Sequence, residues 1–262
     1  MGSATTQALA ASTTALQAAG AIDLTTAREL FAAARTVGDS SQLSGALADP
    51  AAPADLRARV ISQVFAGYSE QTRAVLAAAV EQRWSNAKQL VAGLEELGTR
   101  ATAIAAADVD VEGELFEVSR TVAANPELEL ALGSRLGDST KKGDLITAII
   151  GNSTSEATVL IVSSLVQQPR ERRVRQMLTS AMRIVASQRG RTVATVVSAT
   201  ELTPEQTQRL TALLSAKYGG QISLNTVVDS KVVGGLRVQV ADDIIDASIS
   251  SRLADLRQRL AG

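Results

Sequence analysis

The side chains that most often carry chemistry near neutral pH are missing from this chain, which has no histidine and no cysteine. Imidazole is the usual general base and thiolate the strongest nucleophile. Ser-His-Asp and Cys-His catalysis, imidazole or thiolate zinc sites, iron–sulfur clusters and disulfides are therefore excluded. Carboxylates, Lys, Tyr and Ser remain, with Arg to hold anions, and each suggestive cluster of them has a plainer reading. Asp108, Asp110 and Glu112 with Gly113 resemble the first half of a calcium loop, but Ser119 stands where the closing bidentate Glu belongs, so an acidic helix start that favours the helix dipole fits better. Arg170, Arg172, Arg173 and Arg175, followed by Arg183, Arg189 and Arg191, are the only basic concentration. No aromatic side chains interleave to stack on bases, so a solvated helical face is expected before a nucleic-acid contact. Gly137, Lys141 and Lys142 stand in the wrong order for a phosphate loop, and Gly219-Gly220 and Gly234-Gly235 read as a helix stop and a turn. Asp242-Asp243, just past a strand, suits a hairpin turn and has no acid/base partner in view. No catalytic residue, cofactor or metal is expected.

Composition agrees. Of 262 residues 45% are apolar and only 2% aromatic, and 26 basic against 27 acidic residues leave a net charge of −1, which argues against a dedicated nucleic-acid binder. No apolar run approaches the roughly 20 residues of a membrane-spanning helix. The chain is expected to be soluble, without direct membrane insertion. Its length implies two or more compact units.

What positions the remaining polar groups is a repeat. Glu29-Leu30-Phe31 with Arg35-Thr36-Val37 recurs 85 residues later as Glu114-Leu115-Phe116 with Arg120-Thr121-Val122, and Leu43 and Leu47 match Leu128 and Leu132 at the same spacing. Asp55-Leu56 with Val60-Ile61 resembles Asp144-Leu145 with Ile149-Ile150, and Ser69-Glu70 with Thr72 resembles Ser155-Glu156 with Thr158. The first two-thirds of the chain is therefore a duplication. Each copy reads as short bundle helices, at 4–19, 24–37, 54–65, 70–82 and 86–106, then at 114–123, 127–133, 142–150, 155–167 and 172–188, with a break at Gly38-Asp39-Ser40-Ser41. By the period of 85, the opening helix of the first copy maps onto the closing helix of that same copy. The copies are expected to share it and stack, rather than swing on a linker.

After Gly190 the pattern changes. Residues 191–199 are rich in β-branched side chains and mostly free of good helix formers, as favours a strand. Thr203-Pro204-Glu205-Gln206 is a capping box with proline at the first helical position, and Leu210, Leu213 and Leu214 give that helix an apolar stripe. Ile222, Leu224, Thr226 and Val228 alternate as a second strand and Leu236, Val238 and Val240 as a third, while Ile249, Leu253, Leu256 and Leu260 mark one face of a final helix. The expected architecture is mainly α: a first helical bundle at 1–107, a second at 108–190 and a small α/β domain at 191–262.

The tail also carries a resemblance. Asp229, Gly234-Gly235-Leu236, Val238, Val240, Asp242, Ile245-Asp246, Ser248, Arg252-Leu253 and Leu256 are together similar to the C-terminal signature of the delta subunit of F-type ATP synthases, the oligomycin-sensitivity-conferring protein of mitochondria. Ala241 replaces a glycine usual in that family. The segment from Glu114 onward resembles a whole ordinary delta subunit, and the additional copy resembles the long, duplicated delta subunits of actinobacteria, where the domain also occurs fused behind a stalk segment.

The resemblance implies a non-catalytic stator subunit, peripheral at the cytoplasmic face of the cell membrane. Its helical part would grip the N-terminal helix of an alpha subunit in the catalytic head, with beta close by, and its C-terminal domain would hold the b-type peripheral stalk. It further implies a groove between the first and fifth helices of a bundle. That groove maps to Leu90, Leu94, Leu97, Ile161 and Leu165 in the second copy, favoured because it joins the α/β tail directly, and to Leu9, Leu16, Val75 and Ala79 in the first, which is left for a second alpha subunit or a stalk surface. Docking there is of the helix-in-groove kind. An Arg-rich nucleic-acid-binding regulator using residues 170–191 is the alternative.

Overall fold

In the computed structural model, residues 2–134, 138–229, 232, 234–240 and 243–246 are described. The chain forms two compact units, Met1–Val185 and Ala186–Gly262, and both helical copies fall within the first except for the end of the second copy's last helix, from Ala186 on.

The first copy runs α1 (Ser3–Ala18), α2 (Leu24–Asp39), α3 (Ser41–Ala48), α4 (Ala54–Val64), α5 (Glu70–Glu81) and α6 (Ala87–Ala105). Polar caps set the boundaries. Asp23 accepts from the Thr26 amide at 2.8 Å, a bond that holds its carboxyl below the usual carboxylate range. Ser40, Ser69 and Asn86 cap α3, α5 and α6 in the same way. Helix α3 falls partly where a break is expected: Ser40 and Ser41 are the cap and first residue of a helix, and Leu47 is fully buried. The second copy continues with α7 (Val111–Ala124), α8 (Pro126–Gly133), α9 (Ser139–Ile150), α10 (Glu156–Gln167) and α11 (Val174–Gln188). Asp110 of the acidic cluster is the N-cap of α7, accepting from the Gly113 amide at 3.1 Å.

The repeated identities acquire a reason. Glu29 on α2 accepts hydrogen bonds from the Ser69 amide (3.0 Å), the Ser69 hydroxyl (2.7 Å) and the Thr72 hydroxyl (2.6 Å) at the start of α5. Glu114 on α7 does the same with the Ser155 amide (3.0 Å), the Ser155 hydroxyl (2.6 Å) and the Thr158 hydroxyl (2.5 Å) at the start of α10. In each copy a carboxylate closes the positive end of another helix. Thr72 and Thr158 are fully buried, and besides the carboxylate their hydroxyls meet only the hydroxyl of the capping serine among the described residues.

Helix α6 packs against α1, α2, α3 and α5 of the first copy and against α10 of the second. Toward the first copy it presents Leu90, Val91, Leu94, Leu97 and Ala101, all in the core formed with Leu16, Leu30, Leu76 and Trp84. Two glycines let aromatic rings approach its backbone: a Cβ at Gly93 would lie 2.1 Å from the Trp84 indole, and one at Gly98 3.0 Å from the Phe31 ring. Trp84 is locked in place by its N–H donating to the Ala79 carbonyl at 2.8 Å. The other face of α6 carries Glu95, Thr99, Thr102 and Ala103, also buried. The positions on α1 that lie one repeat earlier than Val91, Glu95, Thr99 and Thr102 are Thr6, Ala10, Thr14 and Gln17, and these are exposed.

The second unit holds a sheet ordered β2-β1-β3-β4. Strand β1 (Arg191–Ser198) pairs in parallel with β2 (Gln221–Val228), joined by α12 (Pro204–Tyr218), and antiparallel with β3 (Leu236–Val240), which pairs antiparallel with β4 (Asp243–Asp246). The capping box at Thr203 is present in full, and Gly219 ends α12 in the left-handed region. Of the expected stripe, Leu214 is buried and Leu210 half-buried in the core, whereas Leu213 is exposed. Strand β4 falls where only a turn is expected. The final helix lies outside the described residues.

Two outcomes follow from this packing. Glu29→Ala and Glu114→Ala each lower the free energy of unfolding by about 2–3 kcal/mol, the scale of charge-assisted bonds lost with buried hydroxyls left unpaired, as read by urea unfolding; a loss under about 0.5 kcal/mol contradicts the clasp. Gly93→Ala, which in an open helix gains up to about 1 kcal/mol, here costs about 1–3 kcal/mol by overpacking and shifts the Trp84 emission.

Candidate partner-binding surface

The residues assigned to helix-accepting grooves separate by burial. Leu90, Leu94, Leu97, Leu16, Val75 and Ala79 have no exposed surface and belong to the core of the first copy. Ile161 and Leu165 on α10 are buried as well, outside that cluster. Leu90, Leu94 and Leu97, expected at a groove of the second copy, are enclosed in the core of the first. Apolar spacing locates a buried face, and on a helix used twice that face belongs to the first copy. Leu9 alone keeps part of its side chain at the surface, on α1 beside α5. Around it α1 and α5 expose small side chains, among them Ala4, Ala11 and Ala15 on α1 and Ala74, Ala77 and Ala78 on α5, at least in part. A helix pair with such a surface admits a third helix at short axial distance.

The basic run divides: Arg173, just before α11, and Arg175 and Arg183 on it are exposed, as expected, whereas Arg170 and Arg172 turn inward. Arg172 makes a two-pronged pair with Glu95, at 2.6 and 2.9 Å, and Arg170 lies 2.5 Å from the same carboxylate. Glu95 is 8% exposed, so one carboxylate on α6 serves both guanidinium groups. Burial holds the Arg170 guanidinium below its ordinary pKa, against the opposing pull of Glu95. To bring both arginines to one point the chain turns through two left-handed residues, Arg170 (φ 46°) and Glu171 (φ 67°), neither of them glycine. Arg175 pairs with Glu129 at 3.1 Å. Other links between the copies are Arg28 to Glu156, and the Gln168 amide donating to Asp39 at 3.2 Å. Sequence periodicity holds no sign of Glu95, whose flanking residues read as ordinary helix; only the mapping of α1 onto α6 marks its position as one that must be covered.

In the second unit the signature residues shape the sheet. Gly234 (φ 152°) and Gly235 (φ 83°) take conformations that other residues rarely adopt, and lead into β3. Leu236 packs against the sheet core opposite Ser198. The Asp229 amide donates to the Ser198 carbonyl at 2.9 Å, and Asp246 stands opposite Arg237 on β4. Asp242, Ser248, Arg252, Leu253 and Leu256 lie outside the described residues. Leu213 on α12 and Ile244 on the edge strand are exposed apolar side chains. Among the described residues no helix is long and apolar enough to cross a membrane.

Helices stacked through a common member, ion pairs at internal joints and a small mixed sheet define a helical-bundle protein with a further α/β domain. Comparison with known proteins carries this further. The family model for the ATP synthase delta (OSCP) subunit matches residues 101–260. The ATP synthase subunit delta of Leifsonia xyli is 46% identical over 264 residues, covering 100% of both chains. Those of Streptomyces avermitilis (38% over 240 residues, 90% of this chain and 88% of the relative) and Kineococcus radiotolerans (38% over 255 residues, 94% and 91%) are similar along nearly their whole lengths. The chain belongs to the ATP synthase delta (OSCP) subunit family. The family model begins inside α6, whereas the relatives also match through the first copy.

Replacing Glu95 by Ala strands two partly buried arginines. Glu95→Ala is expected to cost about 2–3 kcal/mol, below the full value for a buried pair because both arginines keep some solvent. Limited digestion should then show faster tryptic cleavage between 170 and 173. Unchanged cleavage there would sink the clamp.

Proposed function

We propose that this protein is a non-catalytic stator subunit, joining the alpha and beta subunits of the catalytic head to a b-type peripheral stalk so that proton-driven rotation is coupled to ATP synthesis. Membership of the delta family carries this reading. The chemistry agrees: there is no imidazole or thiolate, and Arg170, Arg172 and Arg175 of the basic run are held by internal carboxylates. A part that resists torque must transmit force between partners without yielding, and the cross-links through Glu95, Glu156 and Asp39 serve that end.

In this reading the α1–α5 surface of the first copy, with Leu9 at its centre, receives an amphipathic N-terminal helix from an alpha subunit, while Leu16, Val75 and Ala79 support that surface from the core. In the second copy Ile161 and Leu165 stay enclosed and support α10. The second unit takes the stalk, with Leu213 and Ile244 as exposed apolar contacts. The protein works at the cytoplasmic face of the cell membrane through its partners. A nucleic-acid-binding regulator is disfavoured because Arg170, Arg172 and Arg175 already hold carboxylates.

Titration of the full chain with a peptide from the alpha N-terminus, followed by calorimetry, tests the head contact. Binding should persist at moderate salt, unlike phosphate neutralisation, and Leu9→Glu should weaken it by about tenfold or more. Undiminished binding of the Leu9→Glu protein would move the contact elsewhere, and failure to co-purify with a b-type stalk would remove the linking role.

A further inference from the structure

Between the two helical copies lies a cleft of about 690 Å³. Lys88 of the first copy, Ser134, Ser139 and Lys142 of the second, and Arg170 and Arg172 of the loop after α10 line it. Lys142 is nine-tenths buried, and its ammonium group donates to the Ser134 carbonyl with no carboxylate beside it among the described residues. Buried charges are ordinarily paired, because desolvating an ion without a counter-ion is costly. Lys88, in the first turn of α6, makes no ion pair among the described residues either, and Arg170 and Arg172 share the single carboxylate of Glu95. Even with Glu171 on the wall, the cleft carries an excess of positive charge.

Two helices begin at this wall, α6 beside Lys88 and α9 at Ser139, the first capped by the neutral Asn86 and the second by the Asp138 carboxylate, which offsets part of the positive charge. The strained pair Arg170 and Glu171 forms part of the rim, and such strain persists where surrounding structure or function demands it. The volume is that of a small-molecule site and larger than one phosphate needs. None of the lining side chains is aromatic, so recognition would rest on charge and N–H donors rather than on stacking.

We propose that this cleft binds a pyrophosphate-type oxyanion, a chain of two or more phosphoryl groups, with Lys88 and Lys142 as the ligands contributed by opposite copies. A bound anion supplies the counter-charge that Lys142 lacks and ties the copies together. This rests on the cleft alone and not on the stator reading. Calorimetric titration and thermal unfolding of the full chain, at constant ionic strength, test it with inorganic pyrophosphate, ADP, sulfate and a glutamate-rich peptide. Pyrophosphate should bind once per chain and raise the unfolding temperature. Lys142→Gln should weaken binding by about tenfold or more, and so should Lys88→Gln, whose exposed position leaves folding intact. Tighter binding of ADP than of pyrophosphate identifies a nucleotide as the source of the phosphoryl chain, and the reverse order identifies the free anion. No saturable binding at millimolar pyrophosphate, equal binding of sulfate, binding of the peptide alone, or affinity unchanged in Lys88→Gln would each overturn the proposal.

Discussion

Helix α6 has almost no side left for water. It closes the first bundle and packs on α10 of the second, so nearly every position along it answers to a neighbour. Leucines fill one face, and glycines give up their side chains where Trp84 and Phe31 need the space. The opposite face is small and polar, with Thr99 and Thr102 satisfying their hydroxyls on their own helix at 3.2 and 2.9 Å and Glu95 reserved for the arginines. An apolar second face would have left a sticky surface whenever the copies separated. A polar one requires specific partners, and the loop at Arg170 and Arg172 provides them at the expense of two strained residues.

The duplication and the α/β tail were legible because they rest on local rules: repeated identities, caps, the capping box at Thr203 and alternating β-branched residues. The short elements were not. Helix α3 is eight residues long, contains Gly45 and opens with serines that also mark loops. Strand β4 is four residues between aspartates, too brief for its period to show. The groove residues meet a different limit. Spacing says that a helical face is apolar, not whether it meets its own core or a foreign helix, and on α6 only the three-dimensional assignment of faces decides between them. Glu29 and Ser69 were visible as recurring residues, but nothing in their separation of 40 positions foretold that they touch.

Polar side chains are used economically. Two carboxylates, Glu29 and Glu114, each satisfy the entrance of another helix, and a third, Glu95, serves two guanidinium groups. The basic run that first suggests an outside partner is absorbed largely by these internal needs. What stays uncovered is correspondingly informative: a partly exposed leucine amid alanines on α1 and α5, and a lysine between the copies with no carboxylate beside it among the described residues.

The shared helix also limits what the chain can lose. Two copies joined by a linker can be reduced to one by simple excision, and each keeps its own core. Here, removing everything before Asn86 uncovers Leu90, Leu94, Leu97 and Ala101 at once, while removing α6 with it takes away the surface on which α10 rests. Sharing a helix therefore works as a ratchet: a chain that carries both bundles can return to one only through many coordinated substitutions along a single face.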